Sequence, residues 1–174
     1  DTKILVITGG EPLLHPDLAS IIAQAIKRGL VVNITTNGLL LKRHWGWLKD
    51  SGVSSLSFSL DGIGDVHDEL RGQQGAYART IKAIELVRSE SAIPCSVYCT
   101  VTNKNVHQLW DLYLVCKRLG VTLDFWPVND APELYLTTDE HKVLWSEQVN
   151  AIIEDDQDYA GRRSFYEDSL RYHA

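Results

Sequence analysis

The sequence predicts an α/β fold of the TIM-barrel type in which the barrel is incomplete. Short apolar segments alternate with segments of helical periodicity, and this alternation is typical of βαβ units. A crossover between consecutive strands makes the strands parallel. The 174 residues suffice for one domain with a sizeable core. A closed eight-stranded barrel needs about 250 residues, so a partial barrel is expected.

The strands and helices follow one another along the chain. Runs rich in β-branched and aromatic residues predict strands at residues 3–7, 30–36, 54–60, 95–101 and 121–128. Apolar residues at helical spacing predict helices at residues 17–28, 42–50, 76–90, 105–119 and 137–153. Three glycines stand where helices should end, and these are Gly29, Gly52 and Gly120. Short connections and right-handed crossovers then place the five strands side by side in chain order.

The longest connection, residues 62–75, is predicted to be a loop. Loops of this length in a compact domain are usually functional or disordered, and His67, Asp68 and Arg71 favour function. For His67 and Asp68 the alternative is a local helix cap or a surface pair. Arg71 is followed by a glycine and could form a bidentate pair with a ligand carboxylate, which lysine could not reproduce.

The sequence pattern changes after Pro132. A capping box at residues 137–140 opens a helix, an acidic break follows at residues 154–158, and a last helix is expected near residues 163–172. No βα repeat is visible in this part. We therefore divide the chain into a core of five βα units, residues 1–132, and a C-terminal helical extension, residues 133–174.

Composition excludes two classes of function. A formal net charge of −6 argues against a nucleic-acid-binding surface, and the basic group at residues 42–44 is expected to be a solvated helix face. The sequence has no run long enough to cross a membrane and no secretory signal, so a cytoplasmic location is expected. Because the chain lacks Met and opens directly on a strand, we expect it to be an excerpt of a longer protein.

Candidate ligand-binding groups follow the predicted strands. After the first strand, Gly9 and Gly10 let the backbone approach a ligand and present its carbonyls, and Glu11 adds a carboxylate. Such a cluster of acceptors suits a cationic amino group. A strand-to-helix turn with a solvated glutamate is the alternative.

Three later strands end in further candidates. Thr35-Thr36-Asn37-Gly38 offers groups for a polar ligand such as a ribose, although Asn-Gly is also a common turn. Ser59 and Asp61 end the third strand at the same edge. Trp126 ends the fifth strand, where it either stacks on an adenine or belongs to the core.

These motifs, in this order at successive strand ends, resemble the radical S-adenosylmethionine (SAM) superfamily from residue 3 to about residue 128. The resemblance implies an open six-stranded (β/α)6 partial barrel, here truncated at its N-terminal strand. The Ser59-x-Asp61-Gly62 and Arg71-Gly72 pattern is most similar to the branch that modifies peptides or assembles cofactors, often with a C-terminal auxiliary-cluster domain.

The resemblance also assigns cofactor-binding roles by position. Gly9, Gly10 and Glu11 would bind the SAM amino group, and Thr36 and Asn37 would lie near the ribose or the substrate. Ser59, Asp61 and Arg71 would bind the ribose and carboxylate, and Val101 and Trp126 would flank the adenine. No side chain of the chain is assigned as a catalytic acid or base or as a metal ligand, since the radical chemistry belongs to the cofactor.

The family holds a [4Fe-4S] cluster with a Cys-x3-Cys-x2-Cys loop after the first barrel strand, which would lie upstream of Asp1. Cys95 and Cys99 have the first spacing, but Thr102 stands where the third cysteine belongs. Their position within a strand is also unsuited to wrapping a cluster. We interpret Cys95, Cys99 and Cys116 as buried structural thiols.

The resemblance implies an oxidoreductase that cleaves SAM reductively to a 5'-deoxyadenosyl radical, which abstracts hydrogen from a small-molecule or peptide substrate. An electron donor such as a flavodoxin or ferredoxin would be its partner. One alternative is a non-catalytic SAM-binding or scaffold barrel that has lost the cluster. Another is an unrelated barrel enzyme that uses Glu11, Asp61 and His67 as metal ligands or acid/base groups.

Overall fold

The computed structural model describes residues 3–129 and 131–160, which contain a five-stranded sheet. The strands are β1 Ile4–Ile7, β2 Val31–Thr36, β3 Ser55–Ser59, β4 Cys95–Val101 and β5 Thr122–Pro127. Their spatial order follows the chain, and all four pairings are parallel. The predicted sheet is therefore confirmed in both order and direction.

Helices connect the strands and follow the last of them. They are α1 Leu18–Lys27, α2 Leu41–Leu48, α3 Asp65–Leu70, α4 Ala76–Glu90, α5 Leu109–Leu119, α6 Asp139–Asp155 and α7 Gln157–Ala160. Short 3-10 turns occupy Pro12–Leu14, Val106–Gln108 and Pro132–Leu134. Gly120 ends α5 with a φ of 68°, a left-handed conformation that glycine adopts without strain. The helix expected near residues 163–172 lies outside the described residues.

One element differs from the sequence prediction. Residues 62–75 were expected to be a loop, but they contain the short helix α3. The buried residues of α3 are the polar His67 and Asp68, and its only apolar pair, Val66 and Leu70, spans a single turn, which is too short for the periodicity by which helices are recognised in a sequence. Its fixed position brings polar side chains against the ends of the sheet.

The two faces of the sheet have different compositions. Alternate residues of each strand point to opposite faces, and paired residues of neighbouring strands share a face. The outer face belongs to the hydrophobic core, together with helix residues, and includes Val32, Ile34, Leu56, Phe58, Val97, Cys99, Val101, Leu123 and Phe125. The inner face carries more polar side chains, among them Asn33, Thr35, Ser55, Ser57, Ser96, Thr100 and Asp124, and also the aromatic pair Tyr98 and Trp126.

The C-terminal helices pack on the β5 side of this core. Trp145 of α6 is 1% exposed, and its ring centroid lies 5.8 Å from that of Phe125. The Tyr159 hydroxyl of α7 donates to the Leu123 carbonyl at 2.7 Å and accepts from the Leu123 amide at 3.0 Å. The described residues of α6 and α7 therefore share the core of the sheet, through side chains such as Trp145 and Tyr159. None of the helices in the described residues is long and apolar enough to span a membrane.

Candidate functional site

A cleft of about 230 Å³ lies at the carboxyl ends of β1, β2 and β3. Its lining combines strand-end residues with residues of α3 and the start of α4. These are Thr8, Gly9, Gly10, Thr35, Thr36, Asn37, Leu39, Ser59, His67, Arg71, Gln73 and Ala76. Active sites of βα barrels form at this end of the strands. Six of the ten residues predicted to bind the cofactor line the cleft: Gly9, Gly10, Thr36, Asn37, Ser59 and Arg71.

Gly9 and Gly10 form an open cradle at the end of β1. A Cβ atom added to either residue would meet no other atom within 4 Å, so there is free space directly above this backbone. Gly9 has a φ of 132°, which residues with side chains rarely adopt, whereas the φ of Gly10 is not positive. The backbone is thus accessible to a ligand at both positions, and only Gly9 needs glycine for its conformation.

Glu11 ties the end of β1 to the end of β2. Its Oε1 accepts a hydrogen bond from the Thr36 hydroxyl at 2.7 Å and one from the Leu13 amide at 3.0 Å, and its Oε2 accepts from the Asn37 amide at 2.8 Å. An ionised carboxylate offers about four acceptor positions, so about one remains. Sequence reasoning placed Glu11 at the site but missed the Thr36 and Asn37 donors, which lie about 25 residues away in sequence.

The turn after β2 is held by its own side chains. The Thr36 hydroxyl accepts from the Gly38 amide at 3.0 Å, and the Asn37 side-chain oxygen accepts from the Leu39 amide at 2.9 Å. The Asn37 carbonyl accepts from the hydroxyl of Thr80 in α4 at 2.8 Å. This turn is therefore fixed both to itself and to the helix layer.

Asp61, just beyond β3, connects three elements. Its Oδ1 accepts from the Thr100 amide of β4 at 2.9 Å, and its Oδ2 lies 2.5 Å from the Arg71 guanidinium. Its backbone amide donates to His67 Nδ1 at 3.0 Å, and its carbonyl accepts from Asn105 Nδ2 at 2.6 Å. Burial raises the pKa of Asp61, and the Arg71 charge and the Thr100 hydrogen bond oppose this rise.

His67 is a buried neutral base at the cleft. It is 1% exposed, and burial, reinforced by the Arg71 charge, lowers its pKa to about 4. Because Nδ1 accepts the Asp61 amide proton, the proton of the neutral ring resides on Nε2, which makes that nitrogen a donor. His67 lines the cleft and is not part of a surface pair, and its functional role stays a prediction.

Asp68, by contrast, caps a helix. Its Oδ1 accepts from the Tyr77 amide at 2.8 Å, and its Oδ2 accepts from the Gly75 amide at 2.5 Å. These bonds join α3 to the first turn of α4, and the Tyr77 hydrogen bond is the main cause of the lowered pKa of Asp68. With the Asp61 contacts, they hold α3 at both ends beside the cleft.

Asn105 opens the helix predicted at residues 105–119, but its side chain bonds to the ends of the neighbouring strands. Its Nδ2 donates to the carbonyls of Asp61 at 2.6 Å and Thr100 at 2.9 Å, and its Oδ1 accepts from the Thr102 amide at 2.6 Å. At 3% exposure it links the segment after β3 to β4. Its position at the start of a helical segment concealed this long-range role.

Val101 and Trp126, which the family resemblance placed beside an adenine, do not line the cleft. Val101 is fully buried in the core, and its carbonyl accepts from the Val128 amide at 2.8 Å. Trp126 lies on the inner face, 39% exposed, with its ring edge-to-face to Tyr98 at 5.3 Å. Of the two, Trp126 has the exposed ring that stacking requires.

The three cysteines are free thiols away from the cleft. Cys99 and Cys116 are buried and Cys95 is half-buried. Burial raises the pKa of Cys95 to about 11, that of Cys116 to about 12 and that of Cys99 well above its usual value. Within residues 3–129 and 131–160, no group of three or more His, Cys, Asp or Glu side chains could hold a metal ion, so Glu11, Asp61 and His67 do not converge as ligands there.

Sequence comparisons agree on one family. The family model described as the radical SAM superfamily matches residues 1–116. An AdoMet-dependent heme synthase from Methanosarcina barkeri is 37% identical over 119 residues, which are 67% of this chain and 34% of that protein. The antilisterial bacteriocin subtilosin biosynthesis protein AlbA from Bacillus subtilis is 32% identical over 117 residues, 66% of this chain and 26% of that protein. The match thus spans about a third or less of these relatives' length.

A comparison of structures gives the same fold. The crystal structure of SuiB from Streptococcus suis bound to S-adenosylmethionine superposes with a TM-score of 0.69 at 20% sequence identity. The superposition covers 87% of this chain and 35% of that one. The partial barrel predicted from the sequence is therefore the fold of the described residues.

Proposed function

Because the chain belongs to the radical SAM superfamily, we propose that it is the SAM-binding core of a radical SAM oxidoreductase. When bound, SAM and a [4Fe-4S] cluster supply the 5'-deoxyadenosyl radical that abstracts a hydrogen atom from the substrate. The chain's own residues bind and orient SAM and exclude water from it. We assign this task to residues 1–132, with residues 133–174 as a helical extension, of which α6 and α7 pack on the sheet.

The observation that carries the proposal is the open cradle above Gly9 and Gly10. A ligand ammonium group at this point would meet backbone carbonyls and the remaining acceptor position of Glu11. Neighbouring groups suit the rest of the molecule. The Arg71 guanidinium is suited to the carboxylate, and the polar groups of Thr36, Asn37 and Ser59 are suited to hydroxyl groups.

The cleft is smaller than a typical ligand pocket, which measures about 300–1,000 Å³. It therefore accounts for part of SAM, and we propose that the adenine extends along the inner face toward Trp126. Only the backbone of Val101 would flank the adenine, because its side chain is buried in the core on the outer face. The crystal structure of the similar protein SuiB contains SAM, which supports a site for this molecule on the shared fold.

The cysteines of the chain do not fit a cluster. Burial raises the pKa of all three thiols, and Cys95 and Cys99 lie along one strand rather than in a loop that could wrap a cluster. Cys99 and Cys116 also lie in the hydrophobic core. We therefore propose that the three cluster ligands come from cysteines outside this chain.

Relatives indicate the range of substrates. They include a heme synthase and a protein of bacteriocin biosynthesis, so we propose a small-molecule or peptide substrate. An electron donor such as a flavodoxin or ferredoxin would reduce the cluster, and the cytoplasm is the compartment that we propose for this chemistry.

The sharpest test of the cradle is Gly10→Ala. Because the φ of Gly10 is not positive and its Cβ would meet no protein atom, the variant should fold normally while its methyl group fills the space for the amino group. We expect SAM affinity to fall at least about tenfold, or about 1.4 kcal/mol, as measured by calorimetry on the full-length, cluster-loaded protein without reductant.

The matched control is Gly46→Ala, a site in α2 where a Cβ also meets no atom within 4 Å. It should leave SAM affinity unchanged. If Gly10→Ala binds SAM as tightly as the wild type, the cradle is not the site of the amino group. Glu11→Gln is a less direct test, because an amide has one acceptor oxygen for donors that now bind two.

A further inference from the structure

Asp61 is buried at the rim of the cleft but does not line it. Its side chain is 9% exposed, and each of its four polar groups already has a protein partner. A carboxylate in this state has little surface left to offer a ligand. Its surroundings therefore favour an indirect role over the direct contact with the ribose or carboxylate of SAM that the family resemblance implies.

We propose that Asp61 is a positioning residue that aims the Arg71 guanidinium into the cleft. The Arg71 side chain is 35% exposed and lines the cleft, and Asp61 binds one of its terminal nitrogens. A guanidinium has five N–H donors, so one side of the group can pair with Asp61 while the other faces a ligand. A long side chain that is fixed in advance loses less conformational freedom when the ligand binds.

The surroundings of Asp61 make it a rigid support. Its Oδ1 is bonded to the Thr100 amide of β4, and its carbonyl is bonded to the buried amide of Asn105. The helix that precedes Arg71 is also held, since His67 binds the Asp61 amide and Asp68 binds the start of α4. Both partners of the ion pair are therefore anchored to secondary structure.

This inference rests on the proposed function, because the ligand group that Arg71 would bind is the carboxylate of SAM. The test is a double-mutant cycle of Asp61→Asn and Arg71→Gln. In the Asn variant, Oδ1 can still accept the Thr100 amide, while the charge opposite Arg71 is lost. The cycle reports whether Asp61 acts through Arg71, which a merely structural role would not show.

SAM affinity is measured by calorimetry on the full-length, cluster-loaded protein without reductant. We expect Asp61→Asn to weaken binding about tenfold in the wild-type background and less than about twofold in the Arg71→Gln background. 5'-Methylthioadenosine, which lacks the amino and carboxylate groups, should bind Asp61→Asn as it binds the wild type. Additive effects, tighter SAM binding by Asp61→Asn, or an equal loss for both ligands would overturn the proposal.

Asp61→Glu is the second variant if Asp61→Asn does not fold. It keeps the charge but displaces the guanidinium by about one methylene, and the same selective loss of SAM over 5'-methylthioadenosine is expected. A wild type that does not bind SAM would refute the proposed function and this inference together. A wild type that binds SAM, is impaired by Gly10→Ala and yet shows an additive cycle would refute only the positioning role.

Discussion

The outer and inner faces of the sheet are built from the same five strands but have opposite properties. On β3, Leu56 and Phe58 are fully buried beneath helices, whereas their neighbours Ser55 and Ser59 face the inner side and remain partly exposed. The outer face supplies apolar burial, the main source of folding free energy. The inner face contributes less to stability and leaves polar groups available at the strand ends.

The largest expected effect separates the faces directly. Phe58→Ala removes a fully buried ring from the outer face and should lower the free energy of unfolding by about 3–5 kcal/mol. Trp126→Ala removes a larger side chain from the inner face, but that side chain is 39% exposed, so the loss should stay below about 2 kcal/mol. Denaturant unfolding of both variants measures the two losses.

A Trp126→Ala cost equal to that of Phe58→Ala would contradict this division of roles. The space around Gly38 shows separately that the side chains around Phe58 are tightly packed. A Cβ on Gly38 would lie 3.2 Å from both the Phe58 ring and the Ala83 Cβ, so the outer layer has no spare room there.

The fold was predictable because the outer face is made of apolar residues whose spacing can be read from the sequence. Each strand carries apolar residues at alternate or successive positions, and each main helix repeats them at helical spacing. The same rule would have excluded an inner position for Val101. It has the parity of Val97 and Cys99, which are core residues, and this alternation is readable from the sequence.

The candidate site was less predictable than the fold. The glycines and polar residues at the strand ends could be identified, because parallel strands bring their carboxyl ends together. The long-range partners of Glu11 and Asp61 could not, since Thr36, Thr100 and Asn105 lie 25 to 44 residues away in sequence. Helix α3 was not predicted because it is only 6 residues long and its buried residues, His67 and Asp68, are polar. Their burial depends on tertiary hydrogen bonds, which no local sequence pattern encodes.

His67 is a polar residue beside the cleft that is as deeply buried as the apolar residues of the core. With a folded pKa of about 4 and an unfolded value near 6.5, the unfolded state binds more protons between these pH values. Stability from this group is complete above about pH 6.5 and is lost as the pH falls to about 4. The loss should reach up to about 3 kcal/mol.

The measurement is the free energy of unfolding as a function of pH for wild type and His67→Gln. The variant should lose most of this slope, whereas His107→Gln, on the exposed side of a 3-10 turn, should keep it. The charge of Arg71 lowers the His67 pKa and that of Asp68 raises it. Both variants keep Arg71 and Asp68, so these two charges are the same as in the wild type. An unaltered slope in His67→Gln would mean that the histidine is protonated in the folded state.

The smallest expected effect concerns two neighbours in β4 that point to opposite faces. The Ser96 hydroxyl bonds to that of Ser57 at 2.9 Å across the inner face, whereas Val97 is fully buried in the core. Ser96→Ala should cost about 0.5–1.5 kcal/mol, the net value of one neutral hydrogen bond. Val97→Ala should cost about 2 kcal/mol, since it removes two buried methyl groups and leaves a small cavity.

Because the two substitutions lie at adjacent positions of one strand, their effects on the backbone are nearly equal. The difference between their losses in unfolding free energy therefore measures how much more the outer face contributes to stability than the inner face. Ser96 is half-buried, so its loss should fall at the low end of that range, because water can replace part of the lost bond to Ser57. Urea unfolding of both variants measures the difference. If Ser96→Ala were the more costly substitution, the inner hydroxyl groups would be part of the folding core, and the inner face would not be free for a ligand.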